Sequence, residues 1–252
     1  MKVSDVAKDL PPTDKLYLRD SYLRRTLGRI LRVAKEKGSR YYVVLNASIF
    51  HPLGGGQPSD TGWLSAEGMK FEVKKALESG DVVVLYGKLL EGELREGMTV
   101  TQELDWERRY HIMRLHTAGH VIDRAVSEVV GSHVDTLGAL HGPPRAYVEY
   151  GTSIDVKLLK RIEKLANDLL DDREVVIREV SSEELQNFIY GAPNLGRLPR
   201  SSKYRIVEVK GVNAIPCTGT HVAKASEVGR IKITSIESIE RGSRLYYDVE
   251  PK

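Results

Sequence analysis

Four residues with metal-ligand chemistry occur in two close pairs, His116 and His120 within RLHTAGHVI and Cys217 and His221 within PCTGTHV. Residues four apart on a helix share one face, so His116 and His120 can grip a single ion without backbone strain. The second pair needs only a turn, and Pro216 and Gly219 suit a constrained one. The pairs lie 217 − 120 = 97 positions apart, so an ion held by all four would crosslink distant segments. Imidazole and thiolate donors favour zinc, which accepts tetrahedral N and S sets and has no redox chemistry. Such an ion makes either a closed structural site with four protein ligands or an open catalytic site with three and a water. Spacing alone leaves both open.

The neighbours of the pairs narrow the reaction. A zinc peptidase of the HExxH type needs glutamate beside the first histidine as general base, and here that position is Thr117. Peptide hydrolysis is therefore disfavoured. A metal site without a built-in carboxylate base suits an activated ester, and aminoacyl esters are such substrates.

The 252 residues suffice for two modest cores, and 41% hydrophobic with 29% charged residues is the composition of an ordinary globular protein. Cys217 is the sole cysteine, which excludes an internal disulfide. The start MKVSDVAKDLPP has no apolar run like a signal peptide, and no segment approaches membrane-spanning length. A cytoplasmic protein with no membrane partner is expected, and there a thiolate stays reduced. The net charge of +3 is a weak pointer to an anionic partner. The basic residues bunch, however: Arg24, Arg25, Arg29 and Arg32 early, Arg108, Arg109 and Arg114 before the first pair, and Arg197, Arg200, Lys203 and Arg205 before the second. Arg108, Arg109, Arg114, Arg200 and Lys203 are the candidate phosphate contacts.

Two kinds of pattern must position these residues. From Leu27 to Leu104, GRILRVAKE, RYYVVLNA, MKFEVKKAL, DVVVLYGKLL and MTVTQEL read as five or six strands of a small barrel. HPLGGGQPSDTGWL interrupts them as a tight turn with unusual dihedrals. From Asp105, DWERRYHIMRLHTAGHVIDRAVSEVV has a helical period, with Ile112, Leu115, Ala118, Ile122, Ala125 and Val129 on one face, Asp105 as N-cap and Gly131 as stop. Beyond it, strands from Arg145, REVVIREV, KYRIVEVKG, GRIKITSIESI and SRLYYDVE alternate with a helix over 155–170 and a short one opened by a Ser181/Glu184 capping box. The fold class is α+β, a barrel domain over 1–104 and, over 105–252, an antiparallel sheet covered by helices.

RLHTAGHVI followed by PCTGTHV resembles the HxxxH and CxxxH pairs of the alanyl-tRNA synthetase editing domain and of its free-standing relatives, the AlaX proteins. DWERRYHIMRLHTAGH and RIVEVKGVNAIPCTGTHVAKASEVGRIKI are similar to the family's two metal segments. YLRDSYLRRTLGRIL and FHPLGGGQPSDTGWL resemble the glycine-motif barrel of its medium-length members. The GGGQP barrel favours the alanine branch over the threonyl-tRNA synthetases, whose editing domain is related. The resemblance implies a trans-editing hydrolase that deacylates mischarged tRNA(Ala), carrying serine or glycine, with Zn2+ as cofactor and His116, His120, Cys217 and His221 as metal-binding and catalytic residues. It further implies that Gly54, Gly55, Gly56 and Gln57 reach the substrate pocket. Sorting serine from alanine needs a polar group to answer one hydroxyl, and Thr117 is the candidate, ahead of Ser132 and Thr136. Thr218 departs from the family's CGGTH form, and GSHVDTLGALHGPPRAYVEY follows its pocket stretch only loosely. The competing expectations are a non-catalytic RNA-binding module closed around structural zinc and a hydrolase of small esters.

Overall fold

A computed structural model describes residues Met1–Pro251. The chain divides into two compact units, the first made of Met1–Gly54 with Pro58–Tyr110, the second of Gly55–Gln57 with the chain from His111 onward. The expected change at residue 104 and the observed one at Tyr110 differ because the long helix Trp106–Val130 runs through the division. The tripeptide Gly55–Gln57 leaves the barrel sequence to join the second unit.

The first unit is a closed six-stranded barrel in the order Arg25–Lys37, Arg40–Leu45, Val82–Glu91, Met69–Ser79, Gly62–Ala66, Thr99–Leu104. Its strands alternate as half-buried strands must: Met69, Phe71 and Val73 face inward, and a register shift between Val73 and Lys75 passes the inward role to Ala76. Ile30, Val43, Leu45, Leu64, Leu85, Val100 and Leu104 complete a core with Phe50 and Phe71. Gly62–Ala66, taken in the sequence largely as loop, is the strand that closes the ring by pairing with both Met69–Ser79 and Thr99–Leu104.

The helix Trp106–Val130 starts as expected, with the Arg108 N–H donating to Asp105 Oδ1 at 3.2 Å. Its first turn carries a correction. Arg109, expected to face phosphate, is fully buried in the first unit. Its Nε donates to both Asp60 carboxylate oxygens at 2.9 and 3.1 Å, and its other nitrogens reach Ser21 O at 3.0 Å and Ile49 O at 2.6 Å. All three guanidinium nitrogens are engaged and the side chain is fully buried, so the charge holds loop to helix and is closed to RNA.

In the second unit the same helix is central. All six expected apolar positions are buried, and so are His116, Thr117 and His120. The polar stripe that would face water on a surface helix here faces a site. Two antiparallel sheets surround it in place of the single sheet expected, one in the order Arg230–Ile239, Gly242–Glu250, Ala146–Tyr150, Thr136–Leu140, and one of Val175–Ser181, Lys203–Val209 and Asn213–Pro216. The helix Leu159–Asp168 is tied to the first sheet by Asn167, whose amide bonds Ile231 O and Ile231 N at 2.8 and 2.9 Å. Ser181 and Glu184 make their reciprocal bonds ahead of the short helix Leu185–Phe188.

Replacing one partner of a buried ion pair strands the other in low dielectric, at a cost of about 3–5 kcal/mol. Arg109→Met should lower the unfolding free energy by about that amount in denaturant titration, and Arg109→Met with Asp60→Leu should recover part of the loss. A single variant as stable as the parent would contradict this assignment.

Candidate metal centre and its cavity

The four expected ligands converge. Donor atoms of His116, His120, Cys217 and His221 all lie within 4.8 Å of one another, three of the residues buried and Cys217 nearly so. Cys217 Sγ is 3.4 Å from His116 Nε2 and 3.4 Å from His221 Nε2. A tetrahedron with Zn–N of about 2.0–2.1 Å and Zn–S of about 2.3 Å has donor–donor edges of about 3.3–3.6 Å. The donor set and the two sulfur–nitrogen edges fit such an ion, and His120 Nδ1 is buried with no hydrogen-bond partner.

Each imidazole is aimed by a neighbour. Gln57 Oε1 accepts from the His116 Nδ1–H at 3.0 Å and from the Thr220 N–H at 2.9 Å, while Gln57 Nε2 donates to Thr220 Oγ1 at 3.0 Å. That amide fixes the His116 tautomer and turns Nε2 toward the sulfur. The Thr117 hydroxyl donates to Met113 O at 2.9 Å, so its lone pairs accept the His221 Nδ1–H at 3.1 Å. Arg205 Nη1 donates to Cys217 O and Gly219 O at 2.7 and 2.9 Å and so holds the turn between the second pair. Gly219 is needed there, because a Cβ would lie 2.0 Å from His116 Cε1 and 2.8 Å from Gln57 Oε1.

A cavity of about 690 Å³ opens beside the donors, lined among others by Gly55, Gly56, His116, His120, Asp123, Thr136, His141, Arg197, Lys203 and Cys217. His141 and Asp123 were not anticipated from the sequence. His141 lies at the end of a short strand and stacks on His116, ring centres 4.3 Å apart. Tyr247 gives its hydroxyl proton to Leu115 O at 3.0 Å and accepts from His141 Nδ1–H at 2.6 Å, leaving His141 Nε2 as an acceptor. Gly119 makes room for this arrangement, since a Cβ would stand 2.5 Å from His141 Cε1. Asp123 follows His120 by one turn and accepts the Tyr150 hydroxyl at 2.8 Å.

Burial governs the protonation states. It pushes His120 down to about 3, helped by His141 and Arg205, and His141 down to about 3, helped by Arg197. Both are neutral imidazoles, the form a metal ligand requires. Burial raises the Cys217 thiol, against the opposing pull of Arg205 and the Gly219 N–H. Burial also lifts Asp123 to about 7, opposed by the Tyr150 hydrogen bond and by Arg197.

The remaining expected site residues are distributed unevenly. Gly55 and Gly56, at φ 58° and 76°, line the cavity. Gly54 is exposed, and Gln57 and Thr117 are fully buried with their polar groups spent on His116, His221 and Thr220. Thr136 lines the cavity and receives Arg197 Nη2 at 2.9 Å. Arg108 donates to Ser59 O, and Arg114 to Val228 O and Glu250 O, so both guanidinium groups brace backbone. Arg200 and Lys203 are exposed, Lys203 paired with Glu179 at 2.7 Å.

Residues 24–108 match the family described as tRNA synthetases class II (A), and residues 204–246 match the threonyl and alanyl tRNA synthetase second additional domain. The alanine–tRNA ligase of Metallosphaera sedula is 38% identical over 240 residues, 93% of this chain and 26% of the ligase. Those of Sulfurisphaera tokodaii and Ignicoccus hospitalis are 36% and 31% identical over 95% and 96% of the chain, again 26% of each ligase. The chain thus spans about a quarter of the length of the curated relatives it matches. No helix among the described residues is long and apolar enough to cross a membrane.

The shifted groups predict how metal-free protein responds to acid. His120 and His141, depressed from 6.5 to about 3, stay neutral in the fold while the unfolded chain takes up protons, so their contribution is lost as pH falls below 6.5. Asp123, raised from 3.8 to about 7, works oppositely, its contribution fading as pH rises through that window. His111, also lowered by burial, adds to these two, so the histidines outweigh the one acid and unfolding free energy should fall as pH drops from about 6.5 toward 4. Asp123→Asn removes the opposing group and should steepen the slope; an unchanged slope would contradict the burial of these groups.

Proposed function

Because this chain is a relative of the alanyl-tRNA synthetases that carries their second additional domain, we propose that it is an editing hydrolase of the AlaX type. On this reading it removes serine, and glycine, from mischarged tRNA(Ala) in the cytoplasm by hydrolysing the aminoacyl ester. Residues 1–104 act as its barrel domain and 105–252 as its editing domain. The observation that carries the reading is the convergence of His116, His120, Cys217 and His221 at the edge of a cavity of about 690 Å³. A closed structural zinc would have no use for that opening.

Three of the four converging residues would hold Zn2+ and leave its fourth position open, with the remaining histidine beside it, and the ion when bound supplies Lewis acidity toward the ester and its attacking water. The chain's own groups do the rest. Gln57 and Thr117 hold His116 and His221 in the tautomers whose Nε2 lone pairs face the centre. Thr117 is therefore proposed as an orienting residue, since its hydroxyl is consumed by Met113 O and His221. His141, with Nδ1–H committed to Tyr247, has Nε2 left as a hydrogen-bond acceptor that can position a water. Gly55 and Gly56 let backbone approach the substrate where a side chain would obstruct it. Arg200 and Lys203, exposed, and Arg197 on the cavity wall are proposed to neutralise phosphates of the acceptor end.

Cys217→Ala or His116→Ala should abolish bound zinc and slow Ser-tRNA(Ala) deacylation by about 100-fold or more, on the scale of losing a principal electrostatic group. Gln57→Ala should weaken metal affinity by about 10- to 100-fold while the fold persists. Unchanged hydrolysis after metal loss would overturn the metal-assisted reading. Unfolding on chelation, with no hydrolysis in the zinc-loaded protein, would favour the non-catalytic RNA-binding module.

A further inference from the structure

Asp123 is the only carboxylate among the residues lining the main cavity, whose other charged side chains are Arg197, Lys203 and Arg205. It is 8% exposed. Among the described residues the Tyr150 hydroxyl, which donates to Oδ1 at 2.8 Å, is the hydrogen-bond partner of the carboxylate. The carboxylate's second oxygen is thus left for whatever enters. A buried acid with one neutral donor is poorly compensated, which is why its carboxyl is lifted to about 7. The basic wall does not neutralise it directly: Arg197 donates to Thr136, Lys203 to Glu179 and Arg205 to the carbonyls of Cys217 and Gly219.

Position adds a second constraint. Asp123 stands three residues after His120 on one helix, so the two side chains are neighbours on the same face, with Cβ atoms about 5–6 Å apart. A group reacting beside the four converging donors therefore has its next substituent within reach of Asp123. An aminoacyl ester carries one cation, the α-ammonium, a single carbon from the reacting carbonyl. Its other charges are phosphates, for which the basic wall is the match.

We propose that Asp123, oriented by Tyr150, is the receptor for the α-ammonium of the aminoacyl ester, so that the cavity selects esters of free α-amino acids by charge at the amine as well as by side chain. This rests on the editing reading given above. The carboxylate and the ammonium satisfy each other as a charge-assisted pair in a site where neither has another full partner. Tyr150 holds the carboxylate plane so that the free oxygen faces the entering amine. Asp123 is a binding residue in this scheme, and no bond to it forms or breaks.

The test compares Ser-tRNA(Ala) with the same tRNA after deamination, in which a hydroxyl of similar size replaces the α-ammonium. Rates are measured for the zinc-loaded parent, Asp123→Asn and Asp123→Glu, with zinc content and thermal midpoint recorded for each. Intrinsic ester reactivity cancels when the preference for the amine is compared between proteins. The preference should fall by about 10- to 100-fold in Asp123→Asn, the range for a charge-assisted hydrogen bond, with zinc content unchanged. Asp123→Glu, which keeps the charge, should retain most of it and guards against a folding defect in the amide variant. An equal preference in parent and Asp123→Asn would overturn the proposal while leaving the editing reading standing. So would an intact amine preference with collapse of serine-over-glycine selectivity, which would assign the carboxylate to the side-chain hydroxyl. A parent protein that hydrolyses neither ester would overturn both.

Discussion

Three imidazoles and a sulfur are brought within 4.8 Å of one another, largely out of water. That convergence is the constraint on which the second unit is organised. The long helix supplies two donors at fixed separation, and the Cys217–His221 turn supplies two more. A glutamine from the loop of three glycines locks the groups together through one amide, which bonds His116 and Thr220 at once. Two glycines, at 119 and 219, give the space into which the rings fit. A methyl group at either would collide with the very histidines that line the site.

The surrounding electrostatics follow from burial. Histidines that would titrate near neutrality in water are held neutral, and an aspartate that would be ionised is held near its midpoint at neutral pH. The positive charges beside the cavity are spent on backbone carbonyls, a threonine and a glutamate, which makes them positioning devices first. Asp123 is the exception in sign and in its incomplete pairing, and it lies on the face of the helix that bears the ligands.

Much of this was legible in the sequence, for reasons that differ by element. The barrel and the long helix announce themselves through period-two and helical hydrophobic patterns, and the Asp105 cap and the Ser181/Glu184 box through local chemistry alone. The two candidate metal pairs are legible because each is local, and the resemblance to the alanyl-tRNA synthetase editing segment is what joins them, the second pair alone lying within a matched family segment. Asp123 and His141 escape the sequence reading because their importance is tertiary: one is a single acid on a helix, the other follows a five-residue strand, Thr136–Leu140, too short to show a pattern. Arg109 was misread for the related reason that a run of arginines does not say which member points inward. Its partner Asp60 lies 49 positions away, in a loop whose geometry no periodicity reveals. Gly62–Ala66 was obscured by the glycine and proline punctuation just before it.

The proposed metal centre requires the Cys217 sulfur to be a ligand of one ion held among the converging donors. X-ray absorption at the zinc edge of protein loaded with one equivalent of Zn2+ tests it most directly. The account predicts one sulfur at about 2.3 Å with nitrogen or oxygen neighbours at about 2.0–2.1 Å in a four-coordinate shell, and loss of the sulfur shell in Cys217→Ala. A shell of oxygen and nitrogen alone in the parent protein, or no stoichiometric zinc at all, would contradict it.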